Sequence, residues 1–293
     1  MHFGERLSAA VQARRSQLVL GLDPDPAKLW PAGRTAGEQV AGSAAERAGE
    51  AVFAHCEAVI EAVAGSCVAV KLQLACFERL GVPGWRALER TAGSAQARGL
   101  LVIADAKRGD IDVSARAYAQ ALMGSTETPW GDVQGLAADA VTVNPYLGPD
   151  TLEPFAETAR ANGRGLFVLV RTSNPGAAYL QETAWEGAAR MVDGLAPGGP
   201  LSDIGAVTGA TAPEHLARLR EAMPTAPFLL PGIGAQGGRV ADVGPAFAPG
   251  PAGGLVTSSR GIVNAHEQAG GAPEQAARAE AERLREQAWA LAA

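Results

Sequence analysis

The segment LLVIADAKRGD, residues 100–110, joins a short apolar run to a burst of charged residues. Its first five residues are apolar and rich in branched side chains, which is typical of a strand buried on both faces of a parallel sheet. Similar runs recur along the chain and predict eight strands. They cover residues 17–23, 67–72, 100–105, 139–144, 165–171, 203–208, 227–233 and 254–258.

Helical patterns lie between most of these runs, and several begin with proline or an acidic residue, as helix N-termini prefer. They cover residues 44–63, 84–98, 112–123, 150–161, 182–195, 213–223 and 273–291, with weaker signals at 236–247. Eight strand–helix units in 293 residues predict an α/β fold, a closed (β/α)8 TIM barrel forming a single domain over residues 1–293. An open doubly wound sheet is the alternative, but it would usually need fewer strands and a glycine fingerprint after the first one.

Three segments outside the repeated units are expected at the surface. Residues 30–42 and 196–200 are rich in glycine and proline, which predicts irregular excursions. Residues 125–135 follow the third helical pattern and are expected to form an insertion.

The composition argues against several classes of protein. The net charge of −6 and the pI near 5.3 argue against nucleic-acid binding. The chain starts without a basic segment and apolar run, and no apolar stretch is long enough to cross a bilayer, so we expect a soluble, cytoplasmic protein with no membrane partner. The cysteines and histidines show no metal-ligand spacing, so we expect no metal site; they are Cys56, Cys67, Cys76, His2, His55, His215 and His266.

Polar residues stand where the predicted strands end, and in a barrel of this kind that edge carries the active site. Lys71 is the most unusual of them, because it interrupts an apolar run and a buried ammonium group is costly unless it is paired. Alternatively, Lys71 lies at a strand edge and extends to solvent. The strand-end residues are Asp23, Lys71, Asp105 with Lys107, Asn144, Arg171, Thr172, Ser173, Thr208, Gln236 and Arg260.

The next strand along the chain supplies a partner for Lys71. Asp105 and Lys107 are two residues apart, so an extended strand points both side chains to the same side. Asp110 follows after a turn, which predicts a chain of alternating charges, Lys–Asp–Lys–Asp, that partly satisfies itself and makes burial tolerable. An ion-pair network that merely closes the top of the barrel would have the same sequence pattern.

Two glycine-containing segments predict a phosphate site. PGIGAQGG, residues 231–238, and TSSRGI, residues 257–262, follow the seventh and eighth strands. Barrel enzymes often bind phosphate at this position, on glycine N–H groups and a short helix N-terminus. The planar guanidinium of Arg260 would match the phosphate oxygens, with Gly261 next to it.

Together these residues resemble the orotidine 5′-phosphate decarboxylase family. DAKRGDI, residues 105–111, is similar to the family's Asp-x-Lys-x-x-Asp signature in the form found in the bacterial type 2 subgroup. Further matches, each at a strand end, are residues 21–24, 70–71, 143–148, 171–176 and the two phosphate segments. The resemblance implies conversion of orotidine 5′-phosphate (OMP) to UMP and CO₂, the last step of de novo pyrimidine nucleotide biosynthesis, by a homodimer that needs no cofactor.

The resemblance also implies a role for most candidates. Lys107 would protonate C6 as CO₂ leaves, Asp105 would face the substrate carboxylate, and Lys71 would help to position the ribose. Asp110, with Ile111 beside it, would reach across the dimer interface into the partner's site. The other substrate contacts would be Asp23 at the ribose hydroxyls, Ser173 at the pyrimidine, Gln236 between phosphate and base, and Arg260 with Gly261 at the phosphate; Asn144 has no assigned role. Leu72 and Asp25 replace a proline and a histidine common in the subgroup, neither of which supplies catalysis in the family.

Two alternatives remain open at the level of sequence. Sugar-phosphate decarboxylases and hexulose phosphate synthases share the signature but use Mg²⁺, and by resemblance they have a glutamate where Lys71 stands, so a lysine there would repel the ion. The barrel could also be a phosphometabolite-binding protein with an idle site. The retention of Lys71, Asp105, Lys107 and Asp110 argues against a decayed site.

Overall fold

The computed structural model describes residues 1–196, 198–234 and 236–292, and it confirms the predicted barrel. Eight parallel strands form one closed sheet in which the first strand pairs with the last, Leu18 lying opposite Val256. The strands are β1 (Leu18–Leu22), β2 (Ala69–Gln73), β3 (Leu101–Arg108), β4 (Ala140–Val143), β5 (Gly165–Arg171), β6 (Ile204–Thr208), β7 (Phe228–Leu230) and β8 (Gly254–Ser258).

Helices surround the barrel and follow most of its strands. They are α1 (Phe3–Arg14), α2 (Pro31–Gln39), α3 (Ala44–Val63), α4 (Leu74–Glu78), α5 (Val82–Ala97), α6 (Asp112–Met123), α7 (Glu153–Ala161), α8 (Ala177–Leu195), α9 (Leu216–Ala222), α10 (Arg260–Val263), α11 (Ala265–Ala269) and α12 (Pro273–Ala292). Short 3-10 helices occupy Pro149–Thr151, Pro213–His215, Val240–Asp242, Gly244–Phe247 and Pro251–Gly253. Within the described ranges, no helix combines the length and apolarity that crossing a membrane requires.

Two of the longer helices, α1 and α2, depart from the sequence-based prediction, and the short helices α4 and α11 were not predicted either. Helix α1 was not predicted from the sequence, and the glycine- and proline-rich segment that contains α2 was expected to be irregular. Pro31 occupies the first turn of α2, where proline is compatible with helix, and Gly33 and Gly37 let α2 approach the backbone of α3 closely. The 125–135 insertion contains a two-stranded hairpin, Ser125–Thr126 with Val133–Gln134. The 196–200 excursion includes residue 197, which lies outside the described residues.

Alternate side chains of the strands point to opposite sides, and this divides the core into two layers. The outward side chains, such as Val70 and Leu72 of β2, pack against the helices. The inward side chains fill the lower half of the barrel, towards the amino ends of the strands: Val19, Ala69, Ile103, Ala140, Phe167, Val207, Leu229 and Leu255.

Helix α1 closes the lower end of the barrel. Its Phe3 ring packs edge-on against Phe167, with ring centroids 6.1 Å apart. Gly165 leaves room for that ring, because a Cβ there would lie 2.3 Å from Phe3 Cδ1. The Asp203 carboxylate accepts a hydrogen bond from the Gly4 N–H at 2.8 Å and so holds the start of α1. Apolar groups fill the lower end of the barrel, and the polar inward side chains lie at its upper end, where the strands have their carboxyl ends.

Candidate active site

A cavity of about 460 Å³ opens at the carboxyl ends of the strands. Seven predicted site residues line it: Asp23, Lys71, Asp105, Lys107, Ser173, Gln236 and Arg260. The other four, Asp110, Ile111, Asn144 and Gly261, lie outside its lining. The cavity therefore brings together residues from six strand ends that are up to 237 positions apart in sequence, from Asp23 to Arg260.

Two lysines bind one buried carboxylate at the mouth of β2 and β3. Lys71 Nζ donates to Asp105 Oδ2 at 2.6 Å, and Lys107 Nζ donates to Asp105 Oδ1 at 2.5 Å. Lys71 and Asp105 are buried, whereas 42% of the Lys107 side chain is exposed. The ammonium of Lys107 thus remains accessible to a ligand in the cavity.

Two neutral side chains complete the environment of Asp105. Gln73 Nε2 donates to Oδ2 at 3.2 Å, and the Thr142 hydroxyl donates to Oδ1 at 2.9 Å. Each carboxylate oxygen therefore accepts one ammonium and one neutral donor, which fixes the plane of the carboxylate. Gln73 and Thr142 were not among the predicted site residues. Gln73 stands two residues after Lys71, so the alternation of a strand points both side chains inward.

The electrostatics of this group keep Asp105 ionised. Burial alone would raise the pKa of its carboxyl, but the ammonium groups of Lys71 and Lys107 outweigh that effect and hold the pKa well below its ordinary value. Burial alone would lower the pKa of Lys71, but Asp105 and, at 3.8 Å, Asp23 raise it above the ordinary value. Both groups are therefore charged at neutral pH.

The charged cluster differs in one member from the predicted Lys–Asp–Lys–Asp chain. Asp23 supplies the second carboxylate, whereas Asp110 makes no ion pair within 4 Å with any residue that the structure describes. The Asp110 carboxylate instead accepts the Ile111 N–H at 2.8 Å, on a loop where the Ile111 side chain is 56% exposed. Gly109 packs against the backbone of Asn144, and neither Asp110 nor Ile111 lines the cavity of its own chain.

The opposite side of the cavity is built from the predicted phosphate segments. Gly232, Gly234 and Gly237 adopt positive φ angles of 102°, 80° and 92°, which glycine tolerates best. Arg260 begins α10, and its exposed guanidinium makes no hydrogen bond or ion pair with residues in the described ranges. Gly261 borders the grooves next to the cavity. This side therefore offers an uncommitted cation and a glycine-rich loop.

Ser173 lies on the loop after β5, which a hydrogen-bond network holds in place. The Thr172 N–H donates to Gln181 Oε1 at 2.7 Å, and Thr211 Oγ1 donates to the Ser173 carbonyl at 3.2 Å. Gln181, from α8, also lines the cavity and was not predicted. Asn144 is exposed after β4, where its side-chain oxygen accepts the Tyr146 N–H. The described residues include no cluster of three or more His, Cys, Asp and Glu side chains suited to a metal ion.

Comparison with known proteins identifies the family. The model of the orotidine 5′-phosphate decarboxylase / HUMPS family matches residues 16–279. An orotidine 5′-phosphate decarboxylase of Rhodopirellula baltica is 42% identical over 287 residues, covering 92% of this chain and 90% of the relative. One from Deinococcus radiodurans is 45% identical over 225 residues, covering 75% and 79%. The structure of Leishmania donovani OMP decarboxylase superposes with a TM-score of 0.73 at 31% identity, covering 99% of each chain. The chain therefore belongs to the orotidine 5′-phosphate decarboxylase / HUMPS family.

Proposed function

We propose that this chain decarboxylates OMP to UMP and CO₂, the last step of de novo pyrimidine nucleotide biosynthesis. The observation that carries the proposal is the pair of ammonium groups, Lys71 and Lys107, held on either side of buried Asp105 at the mouth of the cavity. A metal-dependent barrel needs oxygen ligands at this position, whereas two ammonium groups favour a reaction in which negative charge develops on carbon.

Lys107 acts on the reacting carbon. When the bond between C6 and the carboxyl group breaks, its electron pair stays on C6 in an orbital that the ring delocalises poorly. The Lys107 ammonium, fixed by Asp105 and partly exposed to the cavity, stabilises that pair and then donates its proton to C6. The neutral amine that remains regains a proton from solvent.

Asp105 and its neighbours arrange the reacting end of the substrate. Asp105 stays anionic and lies beside the substrate carboxylate, an arrangement that disfavours the bound substrate relative to the carbanion. Asp23, 3.8 Å from Lys71 Nζ and 39% exposed, binds the ribose hydroxyls, and Lys71 positions the ribose. Asn144 receives no role in this scheme.

The remaining contacts hold the base and the phosphate. Ser173 contacts the pyrimidine, Gln236 bridges base and phosphate, and Arg260 with Gly261 binds the phosphate. The phosphate is remote from C6, so its binding energy acts by ordering the glycine-rich loop and excluding water. The free guanidinium of Arg260 supports this assignment, since it has no partner among the described residues.

We also propose a homodimer in which Asp110 and Ile111 enter the partner's site. The loops around them expose a set of apolar side chains that a partner would cover: Ile111, Val113, Tyr146 and Leu147, each more than half exposed. Mixing Asp110→Ala and Lys107→Ala chains tests the proposal, because each mixed dimer regains one intact site. Random assortment predicts recovery of about a quarter of wild-type activity; no recovery under conditions where chains exchange would contradict it.

A steady-state assay tests the activity itself. The absorbance change of OMP with purified protein should show turnover that is unaffected by EDTA. Turnover of OMP that EDTA abolishes would favour the metal-dependent alternative, and absence of turnover would refute the proposed reaction. A separate assay of product formation from a sugar phosphate serves as the control for the metal-dependent alternative.

The location and partners follow from composition. We propose a cytoplasmic protein without a nucleic-acid partner, supported by the net charge of −6 and by three free cysteines, which suit a reducing compartment. Fractionation of cells with an antibody to the protein would test the location.

A further inference from the structure

One hydroxyl group joins the backbone of Lys107 to the carboxylate of Asp105. Thr142 projects inward from β4 and is 1% exposed. Its Oγ accepts the Lys107 N–H at 3.0 Å and donates to Asp105 Oδ1 at 2.9 Å. A single side chain therefore contacts both residues that the proposed reaction uses at C6.

The backbone of β3 needs this contact because the strand is irregular there. Ala104 pairs with Val141 and Arg108 pairs with Val143, so three residues of β3 face Thr142 alone. Lys107 adopts a left-handed conformation, with φ at +47°, which is unfavourable for a residue with a Cβ. The Thr142 hydroxyl takes the place of the carbonyl that a regular ladder would offer to the Lys107 N–H.

The irregularity also determines the direction of the Lys107 side chain. Lys107 Nζ returns to the same oxygen, Asp105 Oδ1, that accepts the Thr142 hydroxyl. Gln73 differs in this respect, because among the described residues its side chain donates a hydrogen bond only to Asp105 Oδ2 and makes none with Lys107. Loss of the Thr142 hydroxyl would therefore remove two hydrogen bonds at once, the one from the Lys107 N–H and the one to Asp105 Oδ1.

We propose that Thr142 is a positioning residue for the decarboxylation: its hydroxyl holds the strained turn of β3 so that the Lys107 ammonium is aimed at C6. The inference rests on the proposed function. Thr142 acts through Lys107 and Asp105 and not on the substrate phosphate, so its loss should lower kcat more than it changes KM.

Three substitutions test the proposal. Thr142→Val keeps the shape and the branched Cβ but removes the hydroxyl, and Thr142→Ser keeps the hydroxyl. Thr91→Val is the matched control, since Thr91 is also fully buried, donates one hydroxyl hydrogen bond to Ala87 O at 2.7 Å, and does not line the cavity. We expect Thr142→Val to lower kcat at least about tenfold with KM within about threefold, as misplacement of a reacting group does.

We expect Thr142→Ser and Thr91→Val to keep kcat near the wild-type value. Equal kcat in Thr142→Val and wild type, or a Thr142→Ser variant as slow as Thr142→Val, would overturn the proposal. If Thr142→Val does not fold, Thr142→Ala and Thr142→Ser provide the comparison, because they differ only in the hydroxyl. An inactive wild-type chain would refute the proposed function instead, so the two failures are distinguishable.

Discussion

Replacing Asp105 with asparagine removes one charge from the centre of the site and leaves its shape unchanged. Lys71, which is 6% exposed, then loses its nearest carboxylate at 2.6 Å and keeps only Asp23 at 3.8 Å. The ammonium of Lys107 loses its ion pair as well, although its exposed part can turn to water. The substitution therefore leaves a buried cation incompletely paired.

The structure allows an estimate of the cost. Breaking a buried ion pair typically destabilises a protein by about 3–5 kcal/mol. Because Asp23 still compensates Lys71 in part, we expect the lower end, about 3 kcal/mol. For a chain of this length, whose unfolding entropy is roughly 0.6 kcal/mol/K, that corresponds to a melting temperature about 5 °C lower.

Thermal unfolding at pH 7, without ligand, measures this difference. Asp242→Asn is the control, because Asp242 forms a surface ion pair with Arg239 at 2.8 Å and its loss should not change the melting temperature resolvably. An Asp105→Asn variant that melts within about 1 °C of wild type would refute the view that Asp105 makes the burial of Lys71 tolerable.

The pH dependence provides a second check on Asp105. Its pKa is lower in the folded state than in the unfolded chain, so the carboxylate stabilises the fold at every pH above the unfolded value of about 3.9. That contribution is lost as the pH falls from about 3.9 through the lower pKa that Asp105 has in the folded state. The difference in the free energy of unfolding between wild type and Asp105→Asn should therefore be constant near neutral pH and should become smaller below about pH 3.9.

Three other substitutions give shorter tests. Lys107→Ala should abolish turnover while UMP still binds in a titration; near-normal turnover would contradict the proton-donor role. Arg260→Ala should lower kcat/KM by about two orders of magnitude or more, because it removes the proposed charge-assisted contact with the phosphate, whose binding energy would be used at C6; a near-normal value would contradict the phosphate assignment. Burial lowers the pKa of His55 to about 4, whereas a histidine in the unfolded chain has a pKa near 6.5. As the pH falls from 6.5 to 4, the unfolded state is therefore protonated first, and the free energy of unfolding decreases by up to about 3 kcal/mol. His55→Gln should reduce the pH dependence of the free energy of unfolding over this range, as measured by urea denaturation at a series of pH values. A variant with the same pH dependence as wild type would contradict this role of His55.

The barrel could be predicted because its strands are buried on both sides. Each strand is a nearly uninterrupted apolar run, and eight of them with helical segments between define the closed sheet. The helices on the outside are less distinctive. Helix α1 was not predicted because its apolar stripe is narrow: Phe3, Leu7 and Val11, four positions apart, are its only large apolar residues. Its packing at the lower end of the barrel depends on the contact of Phe3 with Phe167, which lies on a remote strand.

The charged residues of the site were recognisable and the neutral ones were not. A lysine or aspartate in an apolar strand is costly unless it is paired, so Lys71 and Asp105 were recognisable in the sequence as site candidates. Gln73 and Thr142 are ordinary residues for a strand, and their importance follows from which Asp105 oxygen each one reaches. The irregular pairing at Lys107 is also a tertiary property, because it depends on how β3 aligns with β4.

The charge at one strand position favours the proposed chemistry over the metal-dependent alternative. The formal charges of the cluster sum to zero, since it contains two aspartates and two lysines: Asp23, Asp105, Lys71 and Lys107. Lys71 remains charged because its carboxylate neighbours raise its pKa. A glutamate in place of Lys71, as the metal-dependent relatives have by resemblance, would give three carboxylates around one ammonium and a site suited to a divalent cation. With lysine, the same cluster offers two fixed ammonium groups to the negative charge that develops when CO₂ leaves. Lys71, more than the Asp-x-Lys-x-x-Asp signature that the resemblance gives to both chemistries, therefore supports the proposal of cofactor-free decarboxylation.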